Sequence, residues 1–285
     1  MIKLIVTDMD GTLLSNTNRV CPQNLDAIRY AREKGVRFGI ATGRDFRTMR
    51  GITDLYELPF DYAVLGNGAQ FIDGQGNILA SCYLSKDVFL PITQIFESHR
   101  LPYMVFTTNG YYAADPKFSR DLFIERMCFK LRIPPEDFQP GGKRGNYPCM
   151  QLQPLGDKAE FLKRDLDIIK VESYFLDASV IQQAKRELAA LDGIAYLSSA
   201  DDNVEVTNAN AQKGLILEQA IHSLGLKNDE VMVLGDGLND STMFDLFPCS
   251  FAPCNGAEEI KQKAYRVVCS NNDGAVAEAI RLMIP

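Results

Sequence analysis

Short apolar runs alternate with helical stripes at both ends of this chain, and that alternation confines it to an α/β architecture. Ile2–Thr7, Val36–Ala41, Tyr62–Leu65, Val231–Leu234 and Arg266–Cys269 are apolar almost continuously, not at every second position. Strands of that kind are covered on both faces, as in a parallel sheet whose crossovers are helices. The intervening segments suit the crossovers. Pro22 fits the first turn of a helix, Leu25, Ile28 and Ala31 give it an apolar stripe, and Gly35 fits its end. Further helices are expected over Arg44–Leu55, Lys213–Leu224, Gly256–Ala264 and Ala275–Leu282. Phe71-Ile72 and Ile78-Leu79, around Asp73-Gly74-Gln75-Gly76, read as a small hairpin.

Between about Leu84 and Asp202 the texture changes. Phe89–His99 and Ile181–Leu191 look helical; Tyr103–Thr107, Met150–Gln153, Leu176–Val180 and Ile194–Ser198 look like strands. A loop-rich stretch runs from Ile133-Pro134-Pro135 through Gly141-Gly142 to Pro148. The expected organisation is a Rossmann-like parallel-sheet core formed by 1–83 and 203–285, with a smaller α+β domain, 84–202, inserted into it. A chain of 285 residues is long enough for both.

The net charge of −7 and the isoelectric point near 5.0 argue against nucleic acid or an anionic membrane as partner. A small anionic substrate is not excluded, because a few local cations dominate a pocket. No apolar stretch approaches a membrane span, and the first apolar run is too short for a secretory leader. Seven scattered cysteines without a C-x-x-C pair suggest free thiols in a reducing cytoplasm. With only His99 and His222 as histidine ligands, zinc is not expected. No feature of the sequence sets an oligomeric state.

The residues that carry chemistry stand after the apolar runs, where ligands bind in open α/β sheets. Asp8-Met9-Asp10-Gly11-Thr12 follows the first run. Two carboxylates two positions apart can face one side and share a divalent cation. An ionised carboxylate can attack phosphorus, and a neighbouring one can serve as acid and then base. An Asp-Gly surface turn is the alternative. Ala41-Thr42-Gly43-Arg44 offers a hydroxyl and an amide to phosphate oxygens, or a plain helix N-cap. Lys213 opens a helix, where a cation opposes the helix dipole and wants an anion beside it. It could neutralise Asp8 and a phosphate together, or face solvent. Asp236 and Asp240, in Gly235-Asp236-Gly237-Leu238-Asn239-Asp240, suit Mg²⁺, or cap an ordinary turn. Four unrelated turns would have no reason to supply one metal site and one phosphate site in this way.

These motifs resemble the haloacid dehalogenase superfamily, and more narrowly its Cof-type phosphatases with a C2B cap: Asp8-Met9-Asp10-Gly11-Thr12-Leu13-Leu14, Thr42-Gly43-Arg44, Lys213-Gly214 and Gly235-Asp236-Gly237-Leu238-Asn239-Asp240. Asn67-Gly68-Ala69, Glu205 and Asn272-Asp273-Gly274 match locally, and Ser250–Gly256 departs from the family pattern in a way expected to alter packing, not chemistry. The resemblance implies a Mg²⁺-dependent phosphatase with Asp8 as nucleophile and metal ligand. Asp10 would be the general acid/base and give its carbonyl to the metal. Asp236 would complete the protein ligands, with Asp240 in support. The Met9 backbone, Thr42, Gly43, Lys213 and Asn239 would hold phosphate.

Hydrolysis would pass through an aspartyl-phosphate on Asp8, and Asp10, needing to be protonated and then ionised, should have a raised pKa. The resemblance points to small phosphorylated metabolites, sugar phosphates first and cofactor phosphates second. A phosphosugar mutase and a phosphosugar-binding regulator are the alternatives. In the inserted domain Lys143, Arg144, Tyr147 and Ser199 are candidates for substrate contact or for loop and core. Phe118, Phe123 and Phe129 are expected in its core, and Arg44 is expected to pair with a local carboxylate.

Overall fold

The structure, a computed structural model, describes residues 1–132, 134–139, 147–198 and 201–285. The chain divides into two compact units, Met1–Cys82 with Asn210–Pro285, and Tyr83–Ala209.

The first unit opens with β1 (Leu4–Thr7), α1 (Pro22–Glu33), β2 (Arg37–Ala41), α2 (Phe46–Leu55), β3 (Tyr62–Leu65) and the hairpin β4 (Gln70–Asp73) and β5 (Ile78–Ser81). Its buried β1 shows why an unbroken apolar run was needed. Ile5 points into a core shared with Ile28, Phe38 and Ile280, while Leu4 and Val6 point into another with Ile216, Leu217, Val233 and Phe247. Period-two alternation thus feeds two cores, one on each face of the sheet. Each such side chain contributes roughly 1.5–3 kcal/mol by leaving water.

The inserted unit contains α3 (Phe89–Ser98), β6 (Tyr103–Thr107), β7 (Gly110–Ala113), α4 (Pro116–Leu131), β8 (Leu152–Pro154), α5 (Lys158–Leu162), β9 (Ile168–Tyr174), α6 (Ala178–Leu188), β10 (Ile194–Leu197) and β11 (Asn203–Asn208). Its sheet runs β10-β11-β9-β6-β7-β8, antiparallel except for the β7–β8 pair. Phe89, Ile92 and Phe96 of α3 and Ile181, Ala184 and Leu188 of α6 pack on Val105, Val171, Val204 and Val206. Away from that core, Lys170 of β9 is buried between Glu205, 2.6 Å away, and Glu172, 3.0 Å away.

The chain then returns with α7 (Lys213–Ser223), β12 (Val231–Leu234), α8 (Ser241–Leu246), β13 (Cys249–Pro253), α9 (Glu258–Lys263), β14 (Arg266–Val268) and α10 (Ala275–Met283). The core sheet has the order β14-β13-β12-β1-β2-β3-β4-β5. Strands β14 to β3 are parallel, and the hairpin extends the sheet antiparallel. This is the α/β, Rossmann-like core expected from the sequence.

Four readings of the sequence need correction. The second boundary falls at 209/210, not 202/203, because Asn203–Asn208 is a strand paired with β9 and β10 of the inserted sheet. Glu205 therefore belongs to that unit. Leu176–Val180 is not a strand: Asp177 caps α6, accepting from the Ser179 amide at 2.9 Å. Of the three phenylalanines expected in the inserted core, Phe123 packs against Phe138, Tyr147 and Tyr174, whereas Phe118 and Phe129 are exposed. Tyr147 belongs to the same aromatic cluster, while Lys143, Arg144 and Ser199 lie outside the described residues. Among the described residues no helix is long and apolar enough to cross a membrane.

Candidate active site

β1 and β12 are neighbours in register, Thr7 opposite Leu234, so the chain beyond each delivers its carboxylates to the same end of the sheet. The Asp8 amide continues the ladder to the Leu234 carbonyl at 2.8 Å. Gly11 then turns the chain at φ +90°, and a Cβ there would stand 2.2 Å from the Asp236 carboxylate. Only glycine lets the two loops approach this closely. Thr12 completes the join, its hydroxyl donating to Asp236 Oδ1 at 2.8 Å.

Lys213, the first residue of α7, is fully buried. Its ammonium donates to Asp8 Oδ1 and to Asp240 Oδ1, both at 2.7 Å. Burial alone would lower the Lys213 pKa, but Asp240 and Asp8 outweigh it and hold the ammonium above the ordinary lysine range. The other Asp240 oxygen accepts from the amides of Asp236 and Gly237 at 2.9 and 3.0 Å. Asp240 is therefore spent on bracing Lys213 and the loop that carries Asp236.

One oxygen each of Asp8, Asp236 and Asp240 lies within 4.8 Å of the others. Burial pushes Asp8 well above the usual carboxylate range; Asp240, Asp236 and Asp10 push the same way, against Lys213. Asp236 is pushed up to about 6, by burial first and Asp240 second. Three crowded carboxylates facing one ammonium fit a divalent cation, whose charge would offset that repulsion. Oxygen donors from aspartates suit Mg²⁺.

Asp10 differs from expectation. Its carboxylate takes a two-pronged ion pair from Arg44, at 2.7 Å from Nε and 2.6 Å from Nη2. Its crowded surroundings raise its pKa, but the guanidinium prevails and the net shift is downward, not upward. The expected pairing of Arg44 with a carboxylate is what the structure has.

Thr42 is buried at the end of β2, its amide bonded to the Val64 carbonyl at 2.8 Å and its hydroxyl accepting from the Arg44 amide at 3.1 Å. It does not cap α2; Asp45 does, accepting from the Thr48 amide at 2.8 Å. Gly43 is needed because Asn67 lies against it, 2.9 Å from where a Cβ would be. Asn239 donates to Asn67 Oδ1 at 3.2 Å. Buried Asn67 thus ties the loop after β2 to the loop after β12, a role its Gly-flanked setting at φ +59° only hinted at. Met9 is buried between Asp8 and Asp10, its carbonyl accepting from the Leu14 amide at 2.8 Å. The sequence reading gave no role to Thr12, Asn67 or Asn255; each acts through a contact with a residue far away in the chain.

A sequence profile of the haloacid dehalogenase-like hydrolases matches residues 5–280. The chain belongs to the haloacid dehalogenase-like hydrolases. Within the family it is a Cof-type protein, and its class is that of a phosphatase enzyme. It is 25% identical to phosphatase YwpJ of Bacillus subtilis over 288 aligned residues, covering 99% of this chain and all of YwpJ. It is 23% identical to the 5-amino-6-(5-phospho-D-ribitylamino)uracil phosphatase YwtE of the same organism, covering 97% and 96% of the two chains. A haloacid dehalogenase-like hydrolase from B. subtilis superposes with a TM-score of 0.85 at 23% identity, covering 99% of this chain and 100% of that one. The subclass IIB sugar phosphatase BT4131 gives 0.78 at 18% identity, with 98% of each chain covered.

Proposed function

We propose that this haloacid dehalogenase-like hydrolase is a Mg²⁺-dependent phosphomonoesterase for small phosphorylated metabolites, acting through an aspartyl-phosphate on Asp8. The observation that carries this reading is the buried Lys213 ammonium, 2.7 Å from both Asp8 and Asp240, beside a third carboxylate on Asp236. Asp8, the Asp10 carbonyl and Asp236 would hold Mg²⁺, which supplies neutralisation of charge between the phosphoryl group and the carboxylates. Asp240 supports them through Lys213 and the loop amides.

Asp8 attacks phosphorus, the P–O bond to the leaving group breaks, and protonated Asp10 gives its proton to the departing oxygen. Water then attacks the aspartyl-phosphate, Asp10 takes the proton, and inorganic phosphate leaves with Asp8 regenerated. Lys213 holds Asp8 in line. Thr42, the Gly43 and Met9 amides and Asn239 would take phosphate oxygens. With Arg44 engaged Asp10 is a base, which suits the second half; donating a proton in the first half requires that pair to loosen.

Sugar phosphates come first and cofactor phosphates second, supported by relatives named for sugar and ribityl-phosphate substrates. The free thiols of Cys21, Cys82, Cys149, Cys249, Cys254 and Cys269 support a reducing cytoplasm. The test is hydrolysis of p-nitrophenyl phosphate with and without Mg²⁺. Wild type should be active only with metal and Asp8→Asn inactive; equal rates for the two would reject Asp8 as nucleophile.

A further inference from the structure

Asn255 stands on the loop after β13, outside the motifs that brought the site to notice, yet it touches the turn that follows Asp10. Its Nδ2 donates to the Gly11 carbonyl at 2.9 Å, and its Oδ1 accepts from the Asn271 amide at 2.8 Å. Asn271, buried, in turn donates to the Leu14 carbonyl at 2.9 Å and to Asn16 Oδ1 at 3.0 Å. Asn16 closes the ring, its amide donating to Asn272 Oδ1 at 3.0 Å. The same loop also holds the other side of the site. The Ala257 amide donates to the Asp236 carbonyl at 2.8 Å, and Gly256 is packed so that a Cβ would lie 3.3 Å from Asp236 Cα.

One short segment, 255–257, therefore grips the backbone of Gly11 and the backbone of Asp236, the two chains whose separation fixes where Asp8 stands relative to Asp236. We propose that Asn255 is a positioning residue that sets the spacing of the two metal-binding loops and thereby the affinity for the divalent cation. The proposal rests on the metal-dependent reading above. Among the described residues the Asn255 side chain bonds to no carboxylate, so it acts on the cation through Gly11 and not by ligation. It is exposed at the surface, so its loss should leave the fold intact. Asn255→Asp keeps the shape and the acceptor for Asn271 but removes the donor to Gly11.

Losing one such bond corresponds to a roughly five- to tenfold change in an equilibrium constant. Mg²⁺ affinity is read by calorimetry on wild type, Asn255→Asp and Gly256→Ala, beside circular dichroism and p-nitrophenyl phosphate kinetics. Both variants should keep the wild-type spectrum and bind Mg²⁺ about five- to tenfold more weakly. At saturating Mg²⁺ their kcat and KM should return to within about threefold of wild type, which a general weakening of the fold would not allow. Unchanged Mg²⁺ affinity in Asn255→Asp overturns the proposal, as does a lost kcat that saturating metal fails to restore. If wild type binds Mg²⁺ without hydrolysing any phosphomonoester, the phosphatase reading fails while the calorimetric comparison still decides the role of Asn255.

Discussion

Replacing Lys213 by methionine keeps the volume of the side chain and removes the buried charge that Asp8 and Asp240 share. Breaking a buried ion pair by removing one partner costs about 3–5 kcal/mol. For a unit of about 150 residues each kcal/mol is worth roughly 2–4 °C, so the melting temperature in EDTA should fall by about 6–20 °C at pH 8. The pH dependence identifies the cause. The Lys213 contribution is fully present below the ordinary lysine pKa and is lost only as pH rises through its still higher folded value. Across pH 5–8 the lysine itself does not titrate. Asp8 and Asp236, with folded pKa values raised, bind more protons folded than unfolded, so their ionisation destabilises as pH rises. Without the ammonium that penalty grows, and the deficit of the variant should widen from pH 5 to pH 8. Mg²⁺ at about a hundred times its Kd should return roughly 2.7 kcal/mol. Activity should fall by about 10²–10³ in kcat even with metal, since a donor aimed at the developing charge is gone. Thermal melts at three pH values, with EDTA and with Mg²⁺, measure the stability changes, and p-nitrophenyl phosphate turnover at saturating Mg²⁺ measures kcat. A variant whose melting point matches wild type at pH 8, or whose deficit is flat with pH, would refute the electrostatic account.

Gly11→Ala places a methyl group 2.2 Å from the Asp236 carboxylate at a φ of +90°, and should cut kcat/KM by about 100-fold or more with weaker Mg²⁺ binding on calorimetry. Because Asp236 sits at about 6, Mg²⁺ must displace a proton below that pH. Asp8, raised as well, holds a second proton against the cation. Mg²⁺ affinity should therefore rise by about fivefold or more from pH 5 to 6 and go on rising above it; a flat profile would show that Asp236 is not a ligand. Arg44→Ala frees Asp10 from the charge that holds its pKa down, so the acidic limb of the pH–rate profile should move to higher pH. An unmoved limb would mean that Asp10 is not the group being read.

The core was legible because its strands are buried on both faces and its helices obey a single period. β1, β2, β3 and β12 read as almost continuous apolar runs, and all of them form in the structure. The inserted unit was harder for a physical reason. Its central strand β9 carries Lys170 and Glu172 inside a buried ion-pair cluster, and β11 carries Glu205 in the same cluster. Charged residues in the middle of a strand erase the apolar pattern, so both strands were missed and the boundary was set too early. α4 was missed because its apolar residues do not gather on one face: Phe123 is packed among aromatic rings while Phe118 and Phe129 face solvent. Within the site, residue types that act by their own chemistry (Asp8, Asp236, Lys213) could be singled out. Thr12, Asn67 and Asn255 have ordinary side chains whose importance lies in which distant group they touch, and composition or spacing carries no trace of that. The direction of the Asp10 shift was likewise a matter of where the Arg44 guanidinium comes to rest.

The order of strands in the core sheet sets a schedule for synthesis. β1 lies between β2, which follows within about 30 residues, and β12, which comes from the far side of the inserted unit. A ribosome adding about 5–20 residues per second delivers β12 roughly 10–45 seconds after β1. Through that interval the strand that leads into Asp8 keeps one edge unpaired and half of its apolar surface uncovered, while residues 83–209 emerge with a hydrophobic core of their own. The nascent chain is thus most open to misassociation at the strand on which the finished enzyme depends.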